Sequence, residues 1–301
     1  MKLIVFIFIC LINASSFSFD FDEVADGIYV HYGYQEDSNE NNKGDIANVG
    51  FIIGSESIAV IDTGGTPNIG KKMKKRIREI SDLPITHIII THSHPDHIFG
   101  TEVFINEKVK ILGHEKLKRA LLNNFEFYRN LQFNLIKEEN IKNVNFFEPN
   151  QSIKVNETLS INIGDRELLI KAWPSGHTDN DLSVYDKKTN FFWSENIFVN
   201  RIPSIRASTK GWLSNLKEIS KMNIKMIIPG HGPVSEKKKA LEPMISYFER
   251  LINETRKFHK NNQTLKEAQR KIASKNIENW ILFDEYHVSN VTKTYTELEW
   301  E

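Results

Sequence analysis

The sequence holds a single cysteine, Cys10, inside an N-terminal apolar run. One cysteine forms no internal disulfide and cannot build a thiolate-rich zinc or iron–sulfur site. Net charge is also missing. Thirty-nine basic residues balance 39 acidic ones among 301, so no general electrostatic pull toward nucleic acid or an anionic membrane is expected. The basic runs KKMKKRIR (71–78) and KKK (237–239) read as solvated helix faces. No apolar run is long enough to cross a bilayer as a helix, which takes about 20 residues; Leu3–Ile12 has ten. Internal repeats are absent, which excludes solenoid and propeller designs.

What the first 18 residues do contain is the pattern of a leader: one lysine, the short apolar run, then small polar residues. Ser16 and Ser18 form a small-x-small cleavage signal, so the mature chain is expected to start near Phe19. Cys10 follows Ile9 rather than a small residue, which speaks against lipoprotein processing. These features predict a bacterial periplasmic or secreted protein with no integral membrane span after cleavage.

Beyond the leader, short apolar segments alternate with amphipathic ones. The pattern predicts strands over Ile28–Tyr34, Ala47–Ile53, Ser57–Asp62 and Thr86–Thr91, with a hairpin turn at GSES (54–57) and a helix over Asn68–Ile80. A second group follows over Ile153–Ala172, Ser183–Tyr185, Phe191–Trp193 and 226–228, with a helix over Lys210–Met222. Two strand groups with helices predict two sheets packed face to face, helices outside. Helices are expected again over Ala240–Asn262 and Thr264–Lys275, the latter opened by a Thr264–Glu267 capping box. The segment 114–147 is rich in Phe, Tyr and Asn, and its aromatic residues read as packing.

The densest chemistry lies in THSHPDHIFG (91–100), where His92, His94, His97 and Asp96 share six positions. Thr86–Thr91 reads as a buried strand, so His92 follows its C-terminal end. Alternate residues of an extended segment point the same way, letting His92 and His94 converge on one ion. Pro95 suits the first position of a helix, placing Asp96 and His97 in its opening turn and aiming them at a second point. Imidazoles and a carboxylate without thiols suit zinc, and iron or manganese also fit. His177 in KAWPSGHT and His231 in MIIPGHGP repeat the same placement after strand-like segments. The remaining five histidines, His31, His87, His114, His259 and His287, lack this setting and are assigned to structure or surface.

With IDTGG (61–65) upstream, THSHPDH, SGHT and PGHG resemble the metallo-β-lactamase superfamily. The resemblance implies an α+β fold, a four-layer αββα sandwich with a metal site at one edge of the sheets. It implies that His92, His94 and His177 hold a first ion, and Asp96, His97 and His231 a second. Asp62 matches a supporting aspartate behind those ligands. DIANVGFIIG, RIPSIRASTKGWLSNL, IIPGHGPVS and YTELEWE are more narrowly similar to the quinoprotein relay system zinc metallohydrolases, which include relatives linked to sulfur oxidation. The implied organisation is a leader (1–18), a metallo-β-lactamase-like domain (19–240) and a C-terminal helical extension packed on it (241–301).

One departure stands out. Relatives carry an aspartate in FTGDLVF-like segments that bridges two metals; here FWSENIF (192–198) places Glu195 there, one methylene longer. Bridging by Glu195 is expected if the backbone retreats; otherwise the second ion binds weakly or is absent. The implied activity is zinc-dependent hydrolysis of a small-molecule ester, thioester, amide or lactam by metal-activated hydroxide, with Asp96 both binding metal and orienting the nucleophile. The alternatives are a non-hydrolytic accessory or maturation protein for a periplasmic quinoprotein dehydrogenase and, ranked lower, a β-lactamase. A glyoxalase-like thioesterase and a di-iron redox role rank lower still, the latter because no flavin module follows.

Overall fold

The computed structural model describes residues 19–106 and 108–301; the expected leader lies outside them. The first sheet runs in chain order: β1 (Asp22–Ala25), β2 (Ile28–His31), β3 (Val49–Ile53), β4 (Ile58–Ile61), β5 (Ile85–Ile89), β6 (Lys110–His114) and β7 (Gln151–Ile153). Its early strands pair antiparallel, and β4 to β7 run parallel. The second sheet contains β8 (Thr158–Asn162), β9 (Glu167–Ala172), β10 (Leu182–Asp186), β11 (Phe191–Phe198), β12 (Met226–His231) and β13 (Ser235–Glu236), in the order 13-12-11-10-9-8. All its neighbours are antiparallel except β11 and β12.

Period-two alternation sorts each strand between two cores. On β4, Ala59 and Ile61 face the other sheet, where Ile170, Val184 and Trp193 meet them. Ile58 and Val60 face outward against α1 (Pro67–Ile80), through Ile69, Met73 and Ile77. Both faces are covered, so all four β4 residues are buried and the run is continuously apolar. Helices α2 (Pro95–Ile98) and α3 (Leu117–Ile136) belong to this side. Over the second sheet, α4 (Thr209–Lys221), α5 (Lys237–Lys260), α6 (Leu265–Lys271) and α7 (Phe283–Leu298) share one core with β11 and β12, including Trp212, Met244, Phe248 and Val291. The expected αββα layering is therefore present, with C-terminal helices added to the second outer layer. Among the described residues no helix is long and apolar enough to cross a membrane.

Helix starts follow local chemistry. Thr66 caps α1 by accepting from the Ile69 amide, Ser208 caps α4 through Gly211, and the Thr264–Glu267 box opens α6. The last of these ends at Lys271 rather than Lys275, because Ala273 turns to a positive φ of 44°. At one end of the sandwich, Arg166 locks the sheets: it pairs with both oxygens of Asp186 and donates to the carbonyls of Asp26 and Ile53.

Candidate metal centre

The C-terminal ends of the parallel strands in both sheets meet at one edge, where loops are free to project side chains. Asp62 follows β4, His92 follows β5, and His231 closes β12. Pro95 does start α2, so Asp96 and His97 occupy its first turn, while His94 remains extended at φ −71°, ψ 145°. His177 arrives on the loop between β9 and β10.

Two sets of ligand atoms gather there: His92, His94 and His177, and Asp96, His97 and His231, each set within 4.8 Å. In the first, His94 Nδ1 lies 2.9 Å from His92 Nε2 and 3.0 Å from His177 Nε2. Zinc with 2.0–2.1 Å nitrogen bonds in a tetrahedron sets such nitrogens about 3.3 Å apart. In the second, Asp96 Oδ2 is 3.4 Å from His97 Nε2 and 3.8 Å from His231 Nε2.

The outer ring nitrogens show that these rings are built to offer lone pairs inward. His97 Nδ1 donates to Asp62 Oδ2 at 2.7 Å, His177 Nδ1 to the Ser204 carbonyl at 2.9 Å, and His231 Nδ1 to the Ile46 carbonyl at 2.7 Å. His92 Nδ1 lies 3.1 Å from Thr91 Oγ1, whose proton goes to Asp62 Oδ2. Each anchored Nδ1 leaves its Nε2 unprotonated and aimed at the cluster. His97 Nε2 is buried without a hydrogen-bond partner. Converging lone pairs with no proton between them need a cation, so the donor set fits a divalent metal.

The electrostatics agree for four of the five rings, His97 being the exception. Burial, reinforced by the neighbouring imidazoles, pushes His92 and His177 well below the ordinary histidine range, and burial takes His94 to about 3. His231 is lowered by burial and then by Arg201. All four are neutral, as metal ligation requires. Against its own burial, His97 is raised by Asp96 and Asp62. His97 and His231 in turn outweigh the burial of Asp96 and hold its carboxyl well below the usual range.

Asp62 serves as the hub behind the ligands. Fully buried with a positive φ of 53°, it accepts from the Thr91 amide and hydroxyl and from His97. Glu195 sits elsewhere than between the two sets. Its carboxylate groups with Asp62 and His97, with Oε2 3.5 Å from His97 Nδ1 and Oε1 accepting from the Trp193 indole. The register of β11 against β12 shifts between Ser194 and Phe198, the stretch that carries Glu195. A Cβ at Gly230 would lie 2.3 Å from the Glu195 carbonyl oxygen and 2.6 Å from Oε2, so the glycine of PGHG lets β12 pass close to Glu195. Burial, with Asp62 and Asp96 nearby, raises the Glu195 carboxyl well above its ordinary value.

Several supporting residues carried no assigned role at the sequence level. Asn48 Nδ2 donates to the carbonyls of Pro229 and Gly232, gripping the His231 turn from the opposite sheet. Arg201, buried beside His231, donates to the Glu36 carbonyl and to Asp37. Asn290 on α7 holds the segment that carries Ser204, accepting from the Ile205 amide and donating to the Pro203 carbonyl. His114, expected to be structural, is buried at the end of β6, against the Trp173 carbonyl and outside both ligand sets.

Residues 42–231, which carry every one of these ligand atoms, match the metallo-beta-lactamase superfamily. The chain belongs to that superfamily. Within it, the chain is 22% identical over 241 residues to the beta-lactamase-like protein 2 homolog of Caenorhabditis elegans, covering 78% of this chain and 70% of that protein. A 76-residue stretch is 37% identical to a linear primary-alkylsulfatase of Pseudomonas sp. (strain ATCC 19151), covering 25% of this chain and 14% of that protein. Among solved superfamily structures, the stereoselective inverting sec-alkylsulfatase Pisa1 from Pseudomonas sp. superposes with a TM-score of 0.70 at 16% identity, over 94% of this chain and 50% of that one. A metallo-beta-lactamase from Pontibacter korlensis superposes at 0.62 with 16% identity, over 76% of this chain and 98% of that one. This superfamily member thus spans half of the alkylsulfatase structure and a smaller share of the linear alkylsulfatase. At such identities the structural likeness establishes fold.

Proposed function

We propose that this protein is an exported, zinc-dependent hydrolase of an ester-type bond in a small molecule. The observation that carries the reading is the convergence of two ligand sets on one cleft of about 440 Å³, into which His94, Asp96, His177 and His231 all open. His92, His94 and His177 would hold one ion; Asp96, His97 and His231 would hold another. Divalent zinc bound there supplies Lewis acidity and makes water a competent nucleophile near neutral pH.

The chain's own residues supply the rest. Asp96, kept ionised, accepts a proton-bearing partner at the cleft floor and so orients the attacking group. Arg206 lines the same cleft and favours negative charge as it develops on substrate. The helix α3 walls off one side and limits water.

The test is direct. Zinc content of protein from its native compartment should reach at least one ion per chain, with turnover on a panel of ester, thioester, amide, lactam and sulfate-ester probes. His94→Ala should lower kcat/KM by at least about 100-fold; equal rates for variant and wild type would remove the proposal. Processing near Phe19 is checked by N-terminal sequencing of exported protein.

A second reading has one observation in its favour. Glu195 lies on the Nδ1 side of His97, away from the Asp96–His231 set, leaving the second ion with fewer ligands. A single-ion accessory protein for a periplasmic quinoprotein dehydrogenase would match that arrangement. Stable co-purification with such a dehydrogenase, without turnover on any probe, would select it.

A further inference from the structure

Helix α3 places apolar side chains where a soluble helix ordinarily places polar ones. Phe127 is 63% exposed, Leu131 39% and Leu135 41%. These positions are spaced i, i+4 and i+8, so they form one stripe roughly 12 Å long. All three line the cleft into which the candidate ligands open, and Tyr128 continues the wall toward the His94 ring, 6.1 Å away between centroids. Leu122, 61% exposed on the same helix, does not line it. The apolar surface is therefore continuous with the metal centre rather than spread around the helix.

The lining of the cleft also carries a free charge. Arg206 is exposed and makes no ion pair among the described residues; its guanidinium carbon lies 5.9 Å from the Tyr286 ring centroid. Arg201 is already committed to Asp37, and Asp96 belongs to the ligand set. The cleft thus offers a compact cationic position beside the centre and an apolar track leading away from it.

Resting on the hydrolase reading for the identity of the centre, we infer that the substrate is an anionic amphiphile. Its acidic group is held at Arg206 beside the metal ligands, and its unbranched alkyl or acyl chain lies along Phe127, Leu131 and Leu135. Each methylene laid on that stripe leaves water, and the full track matches a medium-length chain.

The inference is tested by calorimetric binding of ethyl, butyl, hexyl, octyl and decyl sulfonate to the zinc-loaded protein. Affinity should rise roughly two- to fourfold per added methylene. Leu131→Glu and Leu135→Glu, on a helix surface that accepts glutamate well, should each weaken decyl sulfonate binding about tenfold. They should weaken ethyl sulfonate far less than decyl sulfonate. Arg206→Gln should weaken every chain length by a similar factor, and decyltrimethylammonium should bind far more weakly than decyl sulfonate. Leu122→Glu should change nothing. Affinity that is flat with chain length overturns the inference. So does equal weakening by Leu122→Glu and Leu131→Glu, or loss of phosphatidylglycerol vesicle binding in both, which would mark a lipid-docking surface instead. Turnover is measured separately. Chain-dependent binding without hydrolysis of any ester keeps the track and removes the hydrolase reading; hydrolysis of short esters with flat binding removes the track alone.

Discussion

At the scale of single residues, the centre depends on which ring nitrogen each histidine protonates. Asp62 fixes two of those choices, directly for His97 and through the Thr91 hydroxyl for His92. Asp62→Asn keeps the shape and tolerates the positive φ, yet its amide cannot accept at both positions. We expect zinc affinity to fall by about 10–100-fold with the fold intact, measured by competition with a chromophoric chelator and by circular dichroism. The ligands themselves were legible in the sequence because they cluster in THSHPDH or stand beside Gly-Pro turns. Asn48 and Arg201 were not, because these partners lie 164–184 positions away and their residue types signal nothing locally. Glu195 was located by motif, but its extra methylene leaves its direction open in the sequence, and the contacts with His97 and Trp193 fix it.

At the scale of elements, most strands and the helices with one apolar face fell within a few residues of expectation. The hairpin at 54–57 and the placement of Pro95 followed from turn and cap chemistry alone. Helix α3 was missed, and α7, though inside the expected C-terminal helical extension (241–301), was missed as an element with bounds, each for an identifiable reason. In α3 the outward Leu122, Phe127, Leu131 and Leu135 blur the single apolar face that betrays a helix. In α7 the stretch VSNVTKTYT is dominated by β-branched and polar residues of modest helix propensity, and packing against α5 and α6 outweighs that preference. Edge strand β1 is short and its first residues are exposed, so it shows no alternation. The missed α7 matters for the centre, because Asn290 holds Pro203 and Ile205 on either side of the carbonyl that orients His177. Asn290→Ala leaves two buried backbone groups unpaired, a cost of about 1–3 kcal/mol each. The expected result is a lower thermal midpoint together with weaker binding of the first zinc, read from a two-phase metal titration.

At the scale of the whole molecule, acid should disarm the protein by one route. His92, His94, His177 and His231 have folded pKa values depressed below 6.5. Unfolded chains therefore bind more protons than folded ones below that pH, and stability is lost as pH falls through it. His97 and Asp181 act in the opposite sense. His97, raised against its burial by Asp96 and Asp62, gives stability that is present below 6.5 and fades as pH rises. Burial raises Asp181 to about 7, so its contribution declines as pH climbs from 3.8. Glu195, raised by burial, joins these two, while burial lowers His87, His114 and His287 as well; seven groups outweigh three, and the metal-free protein should melt at progressively lower temperature below about pH 6.5. Zinc affinity should fall over the same window, since protons then compete for the ligands. Thermal scans of apo protein and zinc titrations between about pH 5 and about pH 8 check both. Stability that is flat on acidification would mean the histidines are less buried than described.

Every candidate ligand is encoded between His92 and His231, but the helix that clamps the Ser204 segment is encoded beyond residue 282. A nascent chain that has emerged only as far as His231 therefore carries all the donors while His177 still lacks its orienting carbonyl in final position. The first ligand set therefore reaches its full affinity only once α7 has been made and seated.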